Sequence, residues 1–431
     1  MDNIYNKYKY KYKYKGGEVI DSGGQGCVFK PALRCINQNT RSNGISKLGL
    51  SSSIEKEWNT LENILKYIKN IPNYKKYFLL NDMHICKPDK LTFVDKEKFN
   101  TCTTFNNIDT NNINDEIYKF GIINMPYGGI SLENAIFKNI AQIKSISRLL
   151  SQLLIKAIIP MNKLGLYHSD IKANNILYNN GEIKIIDYGL LIMYNSNNFN
   201  IDMYNKILNK HIQFNSPLSR VILSEYFVLF LQTALMNIKI YNLSQNNLLT
   251  LYQKLIRQYY YIFKEKMPEG HYLLLSKYII PDIYDFTDSN NIQLEDIVCD
   301  YCAKILLKYL DTNTKIFDIK RYISDVYIKN VDVYGLIMSF LPYISNYNYS
   351  TIKINITHIE KQNIALLFHK YCFSDKYADI PINIENLIYD INNITRQREK
   401  TKKTKRTRQR QKTKRTRQRQ KTKRTRQRIK N

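Results

Sequence analysis

Along the first third of the chain apolar positions recur with a period of two. "EVIDSGGQGCVFKPAL" (18–33) alternates on both sides of a glycine cluster and predicts strand, turn, strand. "GISKL" (44–48) predicts another strand, with Lys47 set among apolar neighbours. The period then lengthens. "SSSIEKEWNTLENILKYIKNI" (51–71) has a Ser-rich start and Ile54, Trp58, Leu61, Ile64, Leu65 and Ile68 at helical spacing. The Asn-rich stretch 105–114 predicts a loop, and "YKFGIINMPYGGISL" (118–132) a buried strand running into a Gly-Gly connection. Residues 141–164 predict a strongly apolar helix, and helical patterning dominates afterwards. Strands first and helices later predict an α+β chain in two lobes.

Composition changes this picture mainly at the ends. The 431 residues are 44% hydrophobic, enough for a substantial core, and carry a net charge of +28. That charge is concentrated. Residues 395–431 hold 20 Lys and Arg and one acid, and residues 1–15 hold five Lys and one Asp. The tail is also a repeat: "TKRTRQRQK" at 404–412 and 413–421, then "TKRTRQRIK" at 422–430. So little apolar surface and so much like charge predict disorder, and attraction to nucleic acid or another polyanion without sequence preference. A targeting signal is the competing reading. No apolar signal-peptide core opens the chain, and the most apolar run (226–238) is too short to span a bilayer, so a soluble intracellular protein without a membrane span is expected. Seven cysteines lie too far apart for a disulfide scaffold. The one CxxC, Cys299–Cys302, cannot complete a four-ligand zinc site and is read as two buried helix residues.

Charged and amide side chains stand inside strand-like sequence in "YHSDIKANNILYNNGEIKIIDYG" (167–189). Asp170, Lys172, Asn175 and Asp187 would be costly there unless they bind something. In "DSGGQGCV" (21–28), Gly23, Gly24 and Gly26 allow backbone amides to approach a ligand, which suits phosphate oxygens. Together, "DSGGQGCV", Lys47, "HSDIKANN" (168–175) and "DYG" (187–189) make residues 17–189 resemble a eukaryotic-type protein kinase, in detail the divergent serine/threonine kinases of large DNA viruses.

The resemblance implies a bilobal kinase-like fold that binds ATP and Mg²⁺ and phosphorylates Ser or Thr of a protein substrate. Asp170 would orient the substrate hydroxyl and Lys172 would contact the γ-phosphate. Asn175 and Asp187 would hold metal, while Gly23, Gly24, Gly26, Val28, Lys47 and Leu177 would surround the nucleotide. A helix glutamate should pair with Lys47. Glu57 is favoured because Leu61 lies one turn inward behind it, with Glu55 and Glu62 as alternatives. His168 is read as a packed residue and Lys30 as solvent-facing. Cys27 would lie near nucleotide, with no base to activate it.

The implied divisions are a basic arm (1–15), an N-lobe (16–128), a C-lobe (129–394) and the basic tail (395–431). Departures from the family pattern are specific. Ser169 stands where the family has an arginine that pairs with an activation-loop phosphate, which implies activity without that phosphorylation. Asp21 replaces a glycine, Ile45 could crowd the adenine, and "FNSPLS" (214–219) is a doubtful counterpart of "APE". "VDVYGLIMSFL" (331–341) resembles the helix that anchors the catalytic loop, through Asp332. It lies 145 residues beyond Asp187, so about 205–328 reads as a helical insertion. An inactive kinase-fold scaffold that binds nucleotide and nucleic acid is the alternative reading, and a small-molecule kinase a third.

Overall fold

A computed structural model of the chain describes residues 18–23, 26–38, 43–97, 99, 102, 112–195, 201–210, 212–265, 269–287, 292–345 and 353–396. The basic arm, Gly24, residues 105–111 and nearly all of the tail lie outside these described residues.

The early strands are β1 (Glu18–Gly23), β2 (Gly26–Lys30), β3 (Ile45–Leu50), β4 (His84–Cys86) and β5 (Phe120–Met125). They form one antiparallel sheet in the order β1-β2-β3-β5-β4. Pairing fixes which side chains share a face, because strand neighbours alternate and directly opposed residues point the same way. Val28 opposes Lys47, Lys47 opposes Ile123, and Ile45 opposes Met125. That face looks toward α1 (Ser51–Ile68), which follows β3 without a break and buries Ile54, Leu61, Ile64 and Ile68.

The other face carries a separate core that includes Cys27, Phe29, Leu48, Phe120 and Ile122. Cys27 therefore points away from Lys47, contrary to its expected place near nucleotide, and is joined to Cys102. Cys35 is joined to Cys86. Paired cysteines were not expected, since the partners are 75 and 51 residues apart and share no local pattern. Lys30 also departs from expectation. Two residues after Val28 it shares that residue's face, and its ammonium lies 3.2 Å from the centre of the Tyr127 ring rather than free in solvent. The predicted Asn-rich loop ends in a helical turn, Ile113–Glu116.

Helices dominate from residue 132. After α2 (Leu132–Phe137) comes the predicted 141–164 helix, which is interrupted. α3 (Ile143–Leu153) passes into a π turn, Leu154–Ile158, before Pro160 starts the last turn. Proline has no N–H for the preceding turn, and a widened turn accommodates that loss. A second π turn, Leu275–Ile279, likewise precedes Pro281. Two short sheets follow: β6 (Ile130–Ser131) with β8 (Ile176–Asn179) and β9 (Glu182–Ile185), and β7 (Leu166–Tyr167) with β10 (Ile192–Met193).

The 205–328 region contributes the end of α4 (Ile201–Leu208), then α5 (Glu225–Leu235), α6 (Gln245–Glu265) and α7 (Leu294–Tyr309). α8 (Ile328–Met338), α9 (His358–Tyr371) and α10 (Ile384–Asn392) complete the described chain. One continuous hydrophobic core runs from Ile54 in α1 to Ile394 and includes Phe227, Tyr252, Ile279, Cys302 and Ile323. The region read as an insertion is thus built into the common core. A division at 128/129 also cuts through that core, because Ile54, Phe78 and Ile123 belong to it. Among the described residues no helix is long and apolar enough to cross a membrane; the apolar 226–238 run falls largely within α5.

Candidate active site

Lys47 and Glu57 meet at the sheet. β3 carries the lysine and the second turn of α1 the glutamate, so the direct strand-to-helix connection sets their approach. The ammonium lies 2.8 and 2.6 Å from the two carboxylate oxygens. Both side chains are about a quarter exposed, so the pair contributes orientation more than stability. Glu55 and Glu62 are exposed. Gly26 is required by crowding: its φ is +156°, and a Cβ there would fall 2.3 Å from the Leu48 carbonyl oxygen. Gly23 is its partner across the turn. Leu177, half-buried on β8, lies directly under the Gly128 connection, where a Cβ would come 2.6 Å from its Cδ1.

The 168–175 loop is held from below by α8. The Asp332 carboxylate accepts the His168 N–H at 2.9 Å and the Ser169 N–H at 2.7 Å. Burial pushes the Asp332 carboxyl above its usual range, against the opposing pull of His168 and the two N–H groups. Gly335, one turn along α8, allows contact with the loop: a Cβ would sit 2.5 Å from the Ile171 carbonyl oxygen. His168 is fully buried and fully used. Its Nδ1 accepts the Asp170 N–H at 3.3 Å, which leaves Nε2 to donate to the Ile186 carbonyl at 2.9 Å. The ring packs on Tyr188, with centroids 5.3 Å apart. This is a structural histidine, as expected.

These contacts converge on Asp170. Its carboxylate accepts from Lys172 Nζ at 2.9 Å, from Asn175 Nδ2 at 2.9 Å and from Asn215 Nδ2 at 2.8 Å. Burial opposes the charged carboxylate, but Lys172, Asn215 and His168 outweigh it and hold the pKa below the ordinary aspartate value. Asn175 spends its amide nitrogen on Asp170, leaving its oxygen as the atom able to ligate a cation. Asp187 is exposed and takes a left-handed φ of +63°. Among the described residues its carboxylate accepts one hydrogen bond, a long one from the Gly189 N–H at 3.4 Å, and no lysine or arginine pairs with it. A carboxylate and an amide oxygen are the hard donors that suit Mg²⁺.

Sequence reasoning missed three residues near this centre. Lys210 donates to the Ser169 carbonyl, Asn215 reaches Asp170, and buried Arg220 donates to the carbonyls of Ile207, Leu208 and Lys210. A lone arginine in the apolar run "SPLSRVILS" (216–224) was the available signal of a buried cation. Elsewhere, Cys299 and Cys302 lie buried on α7, as expected for the CxxC. Among the described residues, the group with metal-holding spacing is Cys35, His84 and Cys86, and its two sulfurs are bonded to each other. No protein-family model matches the chain, and a search of curated proteins finds no match.

Proposed function

We propose that the chain is an ATP- and Mg²⁺-dependent protein kinase of bilobal fold, acting on Ser or Thr hydroxyls of a protein substrate. One observation carries the reading. Three features that phosphoryl transfer needs are carried by the one chain: a sheet lysine paired with a helix glutamate, a buried carboxylate beside a lysine, and, further along the same stretch as that carboxylate, an amide and a second carboxylate as oxygen donors.

Phosphoryl transfer asks for positioning and charge neutralisation more than covalent chemistry. Bound Mg²⁺ would neutralise phosphate charge, with Asn175 and Asp187 as its protein ligands. Glu57 keeps Lys47 extended along β3, where its ammonium can meet phosphate oxygens. Asp170, ionised at neutral pH, orients the substrate hydroxyl and can accept its proton, and Lys172 exchanges its contact with Asp170 for one with the transferred phosphate. Val28 and Leu177 bound the adenine from opposite sides. Residues 395–431 tether the enzyme to polyanions by charge alone.

The test is transfer from labelled ATP to basic and acidic protein substrates. Asp170→Asn and Asp187→Asn should each abolish transfer, with cooperative unfolding preserved. Asp170→Asn should still bind Mg·ATP, whereas Asp187→Asn should lose the Mg²⁺-dependent part of binding. Wild-type protein that binds Mg·ATP and modifies no substrate, itself included, would transfer the assignment to an inactive scaffold.

A further inference from the structure

We propose that Lys210 and residues 212–220 form a built-in clamp on the catalytic loop, with Lys210 and Asn215 as positioning residues for Asp170. The inference rests on the kinase reading for its consequence and on geometry for its existence. Three successive loop residues are gripped. Lys210 Nζ donates to the carbonyl of Ser169, and Asn215 Nδ2 donates to Asp170 Oδ1 at 2.8 Å and to the carbonyl of Ile171 at 3.0 Å.

The loop needs an external hold. Ser169 is kept at φ +63°, a conformation that costs a residue with a Cβ, so it persists only where neighbours over-determine it. Asp332 restrains the N–H side of Ser169, and Lys210 restrains its carbonyl side. The clamp is itself anchored. The Arg220 guanidinium, 4% exposed, draws together the carbonyls of Ile207, Leu208 and Lys210 at the end of α4. Asn215 is 1% exposed, and its amide oxygen has no hydrogen-bond partner among the described residues. An amide placed for packing alone would satisfy its oxygen; this one spends both its hydrogens on the loop. A clamp made of the chain's own donors needs no added phosphate to form.

Phosphatase-treated full-length protein should keep its transfer rate. Lys210→Met and Asn215→Ala should lower kcat on the order of 10- to 100-fold, the scale of a small misplacement of a reacting group. KM for ATP should change little, because the nucleotide is gripped from Lys47. Lys210→Arg, which keeps a charged donor, should recover most of kcat. Hydrogen exchange gives a readout that does not require activity: residues 166–175 should exchange faster in Lys210→Met than in Lys210→Arg, with β1–β3 unaltered. Unchanged exchange and kcat in Lys210→Met would overturn the clamp. So would a phosphatase-induced loss of rate restored by rephosphorylation, or an equal loss in Lys210→Arg. If wild-type protein transfers no phosphate, the kinase reading fails, and the exchange result still decides whether the clamp exists.

Discussion

Asp332 and Gly335 act on the same loop from one face of α8, and they set two expectations. Asp332→Ala leaves the buried N–H groups of His168 and Ser169 without an acceptor. At about 1–3 kcal/mol for each, chemical denaturation should show a loss of roughly 3 kcal/mol. Gly335→Ala puts a methyl group into the Ile171 carbonyl, so it should destabilise by about 1–3 kcal/mol and lower transfer together with stability. Lys210 sets a pH expectation. Burial, reinforced by Arg220 and Lys172 against the pull of Asp170 and Asp332, brings its pKa from 10.5 to about 8. Between those values the unfolded chain binds more protons than the folded one, so the lysine's contribution to stability rises as pH climbs from 8 toward 10.5. The stability difference between wild type and Lys210→Met, measured by urea unfolding across that window, should therefore shift in favour of wild type. The Lys47–Glu57 pair was legible because strand and helix are contiguous and their periods fix both side chains. Lys210 and Asn215 were not. They lie in an irregular stretch about 40 residues from the loop they touch, where no period links a side chain to its target.

The predicted strands formed because alternation and turn glycines agree, and their parity also explains the two corrections within the sheet. One step along β2 separates the Cys27 face from the Val28 face, so proximity in sequence to the glycine turn did not place Cys27 on the Lys47 face. The apolar pattern of 141–164 gave a helix but could not report the widened turn before Pro160, which depends on one missing N–H rather than on periodicity. At α9 the local chemistry is fully specified. Thr357 and Glu360 form a reciprocal capping box, with Glu360 N–H to Thr357 Oγ1 at 3.2 Å and Thr357 N–H to Glu360 Oε2 at 2.9 Å. Thr357→Ala should cost about 1 kcal/mol, visible as a shift of the denaturation midpoint without a change of slope.

Across the whole molecule, the sequence was least informative about how distant helices share a core. Length suggested that 205–328 was an addition, yet its apolar side chains belong to the same core as those of α1, α8 and α9. α6 and α7 are further joined at the surface by Arg257, which contacts Glu295 and Asp296. Removal of 395–431 leaves this core intact, so it should abolish retention on nucleic acid at low salt while peptide phosphorylation continues at its full rate. Equal retention with and without the tail would refute the tether. The cysteines divide along the same architecture: four paired at the sheet, and Cys299, Cys302 and Cys372 buried as free thiols among the helices. Burial pushes the Cys299 thiol up to about 12 and the other two well above their ordinary value, so none is reactive in the native state. The chain thus carries its own reporters of opening. Under rising denaturant without reductant, an alkylating reagent should add three labels, all to helix-side cysteines. Because Cys299 and Cys302 lie in the intervening region and Cys372 follows α9, the order of labelling reads out cooperativity. A shared core requires that all three become reactive in one transition; an autonomous insertion would give up its two thiols first.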